Sequence, residues 1–426
     1  MSYIAPVEDM MFLLNHVIDA DLESSGLDED TLSAILDEAS KVARDVIGPL
    51  NAPGDQQGCS LKDGKVTTPD GFKDAYAQYR DSGWNSVPFG ENAGGQGLPW
   101  LVAYAVQEMW QSACMSFGLC PMLNQSAVEA LELHGSEEQK RIYLEKMVTG
   151  EWTGTMNLTE PQAGSDLSVL QTKAEPQDDG SYKITGQKIY ITYGEHDFAE
   201  NIIHMVLARI PGAPEGVKGI SLFLVPKYIP DDQGNPGERN DVICTGIEHK
   251  LGIHASPTCT MQYGDKDGAT GWLVGNENEG LKLMFTMMNN ARLAVGLQGV
   301  AISERAYQSA LAFAKDRVQG KNITGGDERV PIINHPDVKR MLMDMISYTQ
   351  AGRAVAYDAI AAMDKAGTGD KEAAAYVDLL VPVVKAWCTD IALQVTSDAL
   401  QVHGGMGFIE ETGLAQHYRD ARILPI

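Results

Sequence analysis

The sequence predicts an α+β multidomain protein: an N-terminal all-α domain over residues 1–150, a middle antiparallel β-barrel or sandwich over 151–275, and a C-terminal four-helix bundle over 276–426. Three observations predict it. At 426 residues the chain exceeds what a single ordinary core encloses, so two or three domains are expected. Helical periodicity gives way near residue 151 to short β-prone runs, then returns near 276. Finally, no helix of about 10–15 residues alternates with each strand, which disfavours a doubly wound sheet.

Each element follows from local pattern. Leu32, Ile35, Leu36, Ala39, Val42 and Val46 recur at three and four, the spacing of one helix face, and Gly48-Pro49 is expected to stop that helix. The stretch from Gly83 to Pro99 carries GENAGGQGLP and reads as irregular. Ser136-Glu-Glu-Gln139 is a capping box that opens another helix. In the middle region Ser181–Thr185, Lys188–Tyr193, Ile202–Ile210 and Gly219–Pro226 are strand-like and separated by Gly, Asp and Pro. Beyond 276 the faces Leu293, Leu297, Val300, Tyr307, Leu311 and Val384, Trp387, Ile391, Val395 indicate long packed helices. The sequence reaches Arg422-Ile-Leu-Pro-Ile426 without a helix stop signal, so the last helices of the bundle are expected to be incomplete.

Composition narrows the function. With 44% apolar and 21% charged residues the chain reads as a soluble globular protein. No run of about 18 uncharged apolar residues predicts a membrane span. The N-terminus, MSYIAPVEDMMFLL, places acidic residues before its apolar run, which argues against a secretion signal and leaves the cytoplasm as the expected address. Cys59, Cys114, Cys120, Cys244, Cys259 and Cys388 are scattered and read as buried or idle thiols. A formal charge of −25, with no Lys/Arg stripe, sets nucleic acid aside as a partner. Any phosphate must therefore be held by local donors. His134, His196, His254, His335, His403 and His417 lie far apart in sequence with no HExxH, so no metal site is expected. No GxSxG marks a nucleophilic serine, and Gly404-Gly405-Met406-Gly407 follows a helical pattern where a dinucleotide fingerprint would follow a strand.

The segment richest in chemistry is Met156-Asn-Leu-Thr-Glu-Pro-Gln-Ala-Gly-Ser-Asp166, followed by Gly186-Gln-Lys-Ile-Tyr-Ile-Thr192. Ala163, Gly164 and Ser165 let backbone amides approach an anion closely. Thr159, Ser165 and Thr192 bring hydroxyls that can face a heteroaromatic ring, and Tyr190 can pack on it. An ordinary turn before a strand is the competing reading of the same residues.

This segment resembles the flavin-binding signature of the acyl-CoA dehydrogenase family, in which a strand ending T-E-P leads to a G-S-D turn. The second strand resembles the family's W-I-T, with Tyr190 in the tryptophan's place. GENAGGQGLP is similar to a loop of the family's N-terminal domain, and Arg292 stands where a family helix presents an arginine to CoA. Arg317-Val-Gln-Gly-Lys321 is similar to the segment that holds the neighbouring subunit's FAD. Gln401-Val-His-Gly-Gly-Met-Gly407 resembles the Q-x-x-G-G-x-G near the adenosine end. The motifs occur in family order along nearly the whole chain.

The resemblance implies FAD with its ring lined by Met156, Leu158, Thr159, Ser165, Tyr190, Ile191 and Thr192. Arg317, Gln319, Gln401, Gly404 and Gly405 would hold the distal half across a homodimer or larger assembly, and Ser165 and Arg292 would meet CoA. Met156 departs from the aromatic of many members, and the phenylalanine usual after the family's arginine is missing near Arg317. The implied reaction is α,β-dehydrogenation of a saturated acyl-CoA, with electrons passed to an electron-transferring flavoprotein. In most members the base is a glutamate in Y-E-G-T after R-D-A-R-I. Tyr418-Arg-Asp-Ala-Arg-Ile-Leu-Pro-Ile426 stops before that point, so the glutamate is expected just beyond Ile426. The family's alternative place for it, before the CoA arginine, is Ala291. Glu160 reads as structural. Tyr3-Ile-Ala-Pro6 with Asp9, and His249-Lys-Leu-Gly-Ile-His-Ala-Ser-Pro-Thr258, resemble a larger subgroup with an extra C-terminal domain, which includes enzymes acting on 3-methylmercaptopropionyl-CoA and on fatty acyl-CoA. The rival functions are an acyl-CoA oxidase or flavin monooxygenase on the same fold, and a non-catalytic FAD-binding module.

Overall fold

The computed structural model describes residues 3–20, 22, 25–231 and 233–426. The Glu29–Val42 helix starts where Asp28 accepts a hydrogen bond from the Thr31 amide, and it buries Leu32, Leu36 and Ala39. Gly48-Pro49 does not stop it, contrary to the sequence reading. The helical path runs through a π turn at Ala43–Ile47 and a 3-10 turn at Gly48–Leu50 into a further helix, Asn51–Gln57. Pro49 lies at the head of the new turn, where a missing N–H costs nothing. The path ends at Gly58, whose φ of 64° only glycine adopts readily.

The glycine-rich stretch holds two short 3-10 turns, Trp84–Ser86 and Glu91–Ala93, in otherwise irregular backbone. Trp100–Ala113 and Met115–His134 follow, buried along almost their whole length. Ser136 and Gln139 form the capping box expected of them.

The middle region is built on an eight-stranded sheet. Its order is Val242–Ile247, Thr258–Tyr263, Tyr182–Thr192, Ala269–Val274, Ser221–Pro226, Asn201–Ala208, Trp152–Asn157, with Lys173–Pro176 also paired to Tyr182–Thr192. Two runs read as separate strands in the sequence are one continuous strand, Tyr182–Thr192. Gly186 joins them at φ 154°, and a Cβ there would lie 2.5 Å from Thr172 Oγ1. The pairing is antiparallel except between Trp152–Asn157 and Asn201–Ala208, which run parallel. Asn201–Ala208 is buried on both faces, so it reads as a continuous apolar run without alternation.

Three long helices, Gly280–Asp316, Pro336–Gly367 and Lys371–His403, pack on one another, and Leu414–Ala421 is a short fourth. By length and composition the segment 371–408 could cross a membrane. It packs against the other two helices, with Val384, Cys388, Ile391 and Val395 buried. Inside the helices Arg353 pairs with Glu108 at 2.7 Å and Glu304 at 2.9 Å, and Tyr357 donates to Glu108 at 2.9 Å. This wholly buried network ties the bundle to the Trp100–Ala113 helix. Five of the six cysteines are buried thiols.

Candidate active site

The end of Trp152–Asn157 and the end of Tyr182–Thr192 are brought together by one buried ion pair. Lys188 Nζ lies 2.8 Å from Glu160 Oε1 and donates to the Leu158 carbonyl at 2.9 Å. Both side chains are almost fully buried. Burial opposes the Glu160 charge, but Lys188 and the hydrogen bonds outweigh it and hold this carboxyl below its usual value. Burial likewise draws the Lys188 ammonium down to about 8, against the pull of Glu160. Glu160 also accepts from the amides of Gln171 and Thr172, at 2.7 and 3.0 Å, and from the side chains of Thr172 and Gln162. The Glu160–Ala163 turn is closed by two backbone hydrogen bonds, and Ile189 N donates to Thr159 O at 2.9 Å. Leu158 and Thr159 therefore sit against Lys188–Thr192.

This arrangement leaves polar groups free. Among the described residues none hydrogen-bonds the hydroxyls of Thr159, Ser165 or Thr192, and nothing lies within 4 Å of where a Gly164 side chain would start. Tyr190 is 60% exposed at φ 60°, beside a register shift opposite Cys259–Met261. A left-handed tyrosine is strained, and the bulge turns its ring outward. Ile191 is buried, while Met156 and Leu158 are half-buried. Free hydroxyls, an exposed aromatic and an open glycine turn form a donor set and flat wall that fit an isoalloxazine ring.

The residues expected at the distal half lie at one end of the bundle. Phe313 stacks on His403 at 4.2 Å, which sets the Arg317 segment beside Gly404 and Gly405. Arg317 donates to Gln319 at 2.9 Å, and the Gln319 carbonyl lies 2.7 Å from His335 Nε2. Arg317, Gln319, Gln401, Gly404 and Gly405 are all exposed, with open space around both glycines. Arg292 is half-buried on the Gly280–Asp316 helix, 3.3 Å from Asn289 and over the Phe285 ring at 5.5 Å. No contact joins it to Ser165 among the described residues.

Two features escaped the sequence reading. By sequence pattern Lys188 is only one residue of a strand, although a lysine at an inward strand position is a visible signal. The second is the cluster of buried Ser126 and Asn290 with half-buried Glu129, near Arg292, which no local spacing announces.

Fold and site together define a flavoprotein oxidoreductase of helical, β and helical regions. Family models described as acyl-CoA dehydrogenase N-terminal, middle and C-terminal domains match residues 29–151, 155–266 and 278–426. The chain is 52% identical to 3-methylmercaptopropionyl-CoA dehydrogenase of Ruegeria pomeroyi, over 100% of this chain and 74% of that protein. It is similar to the solved butyryl-CoA dehydrogenase from Megasphaera elsdenii, with TM-score 0.76 and 26% identity over 93% of both chains. It also matches a structure described as electron transferring flavoprotein of Acidaminococcus fermentans, with TM-score 0.77 and 26% identity over 94% of both chains. The chain belongs to the acyl-CoA dehydrogenase family, whose members are FAD-dependent oxidoreductases.

Proposed function

We propose that the protein oxidises a saturated acyl-CoA thioester to the trans-2-enoyl-CoA and passes the electrons to an electron-transferring flavoprotein. The observation that carries this reading is the Glu160–Lys188 pair, which fixes Leu158 and Thr159 against Ile189–Thr192 and leaves three hydroxyls unbonded among the described residues. FAD, when bound, supplies the acceptor for the β-hydride.

The chain's own residues bind and orient. Thr159, Ser165 and Thr192 would hydrogen-bond the ring edge, while Met156, Leu158 and Ile191 would form its apolar bed. Tyr190 covers the ring from solvent. Arg317, Gln319, Gln401, Gly404 and Gly405 hold the distal half, and their exposure suits contribution across a homodimer or larger assembly. Ser165 and the Arg292 guanidinium hold CoA, the latter through its phosphates. Packing the thioester against the ring excludes water, which strengthens every donor aimed at the developing enolate. The α-proton must go to a base, and Glu160 is unsuited because five donors already occupy its carboxylate.

Identity to the Ruegeria pomeroyi enzyme supports 3-methylmercaptopropionyl-CoA as the substrate, and similarity to a butyryl-CoA dehydrogenase supports a short fatty acyl-CoA. Anaerobic mixing of the FAD-loaded protein with each saturated thioester tests the reading. Bleaching of the yellow flavin is expected, fastest with the preferred acyl group. A protein that binds FAD yet stays yellow with every thioester is a non-catalytic module. Rapid reoxidation by air with peroxide release would replace the electron-transferring flavoprotein with oxygen as acceptor.

A further inference from the structure

The Met115–His134 and Gly280–Asp316 helices meet through polar groups at two levels. At one, His134 Nε2 lies 2.8 Å from Thr286 Oγ1. At the other, Asn290 is held at three points. Its side-chain amide donates to Glu129 Oε2 at 2.9 Å and its side-chain carbonyl accepts from Ser126 at 2.8 Å. Its backbone carbonyl accepts from the Tyr104 hydroxyl at 3.0 Å. Asn290 is 3% exposed, and Ser126 and Tyr104 are buried with it.

A buried amide satisfied at both ends fixes the rotation and axial position of its helix, because a slipped helix would leave these groups unpaired. Arg292 lies two residues further along the same turn. Among the described residues its guanidinium is held only by Asn289 at 3.3 Å and the Phe285 ring at 5.5 Å, both on its own helix. Where Arg292 reaches is thus decided by the backbone, and at that level the backbone is fixed by Asn290.

We propose that Asn290 is a positioning residue for thioester recognition: locked onto Ser126 and Glu129, it sets the helical turn that presents Arg292 to the phosphates of CoA. The inference rests on the reading of Arg292 as a CoA anchor.

The test is calorimetric titration of free CoA into the FAD-loaded full chain and its variants. Asn290→Ala weakens CoA binding about tenfold while FAD occupancy and the visible flavin spectrum stay unchanged. In an Arg292→Ala background the same substitution adds less than about twofold, since the group it positions has gone. An equal loss in both backgrounds, or no loss in either, overturns the proposal. If Arg292→Ala alone leaves CoA affinity intact, the anchor reading fails first and the proposal with it. Should Asn290→Ala not fold, Ser126→Ala removes one of the three bonds and carries the same cycle, with a loss of about threefold that must vanish in the Arg292→Ala background.

Discussion

The proposed flavin-ring end of the site and the proposed distal end are built on opposite plans. At the ring end one buried ion pair and its surrounding hydrogen bonds hold the loop before any ligand arrives. At the distal end the same class of ligand would meet exposed Arg317, Gln319 and Gln401 with open space at Gly404 and Gly405. The first is fixed by contacts within the chain, whereas the second presents its polar groups exposed. Mutations at the first should therefore act on folding, and at the second on ligand retention.

The largest effect should come from Lys188→Met, which strands the Glu160 charge in the interior and costs about 3–5 kcal/mol in denaturant unfolding. Adding Glu160→Gln, which removes the stranded charge and keeps an acceptor for the Gln171 and Thr172 amides, should restore part of that loss; no recovery would show that the cost of Lys188→Met is not the unpaired charge. The pH profile gives the next effect. Burial pushes the Glu129 carboxyl up to about 7 from 4.5, against the pull of the Asn290 amide. An acid with a raised folded pKa favours folding fully below its unfolded value, and that advantage is lost as pH rises through the folded one. Between about pH 4.5 and 7 the wild type should lose up to about 3 kcal/mol relative to Glu129→Gln, read by unfolding at both ends of the window. Parallel profiles would place Glu129 in water.

Gly154→Ala should rank third. Its new Cβ would lie 2.3 Å from that of Ala127, so overpacking of about 1–3 kcal/mol should appear as a lowered Tm. Smallest in stability is Arg317→Ala, within about 0.5 kcal/mol of wild type, yet it should shed FAD during gel filtration. A large stability loss there would erase the contrast between the two ends.

The sequence disclosed what is local. The capping box at Ser136 and the T-E-P loop are each contained within a dozen neighbouring residues, and the order of textures is the sum of such local patterns. What it concealed depends on partners far away along the chain. Gly48-Pro49 reads as a stop by composition, yet packing continues the helical path through a π turn. The parallel pairing of Trp152–Asn157 with Asn201–Ala208 leaves no mark in either strand. Arg353, Glu108 and Glu304 look like surface charges until folding closes them into one buried network. The sequence marks Tyr190 as an aromatic on a strand, but its left-handed backbone follows from a bulge set by the neighbouring strand.

The Met115–His134 helix lies between the strand that leads into the flavin loop, where Asn124 accepts from the Gly154 amide at 2.9 Å, and the helix that carries Arg292. It works as a spacer of fixed thickness. On one side its gauge is the Ala127–Gly154 contact, and on the other it is the Ser126–Asn290 bond. A larger side chain at residue 127 or 154 would push the Trp152–Asn157 strand away from the helix that carries Arg292. A substitution on this buried helix would thereby be felt at two surfaces it does not touch, the turn at Gly164 and the guanidinium of Arg292.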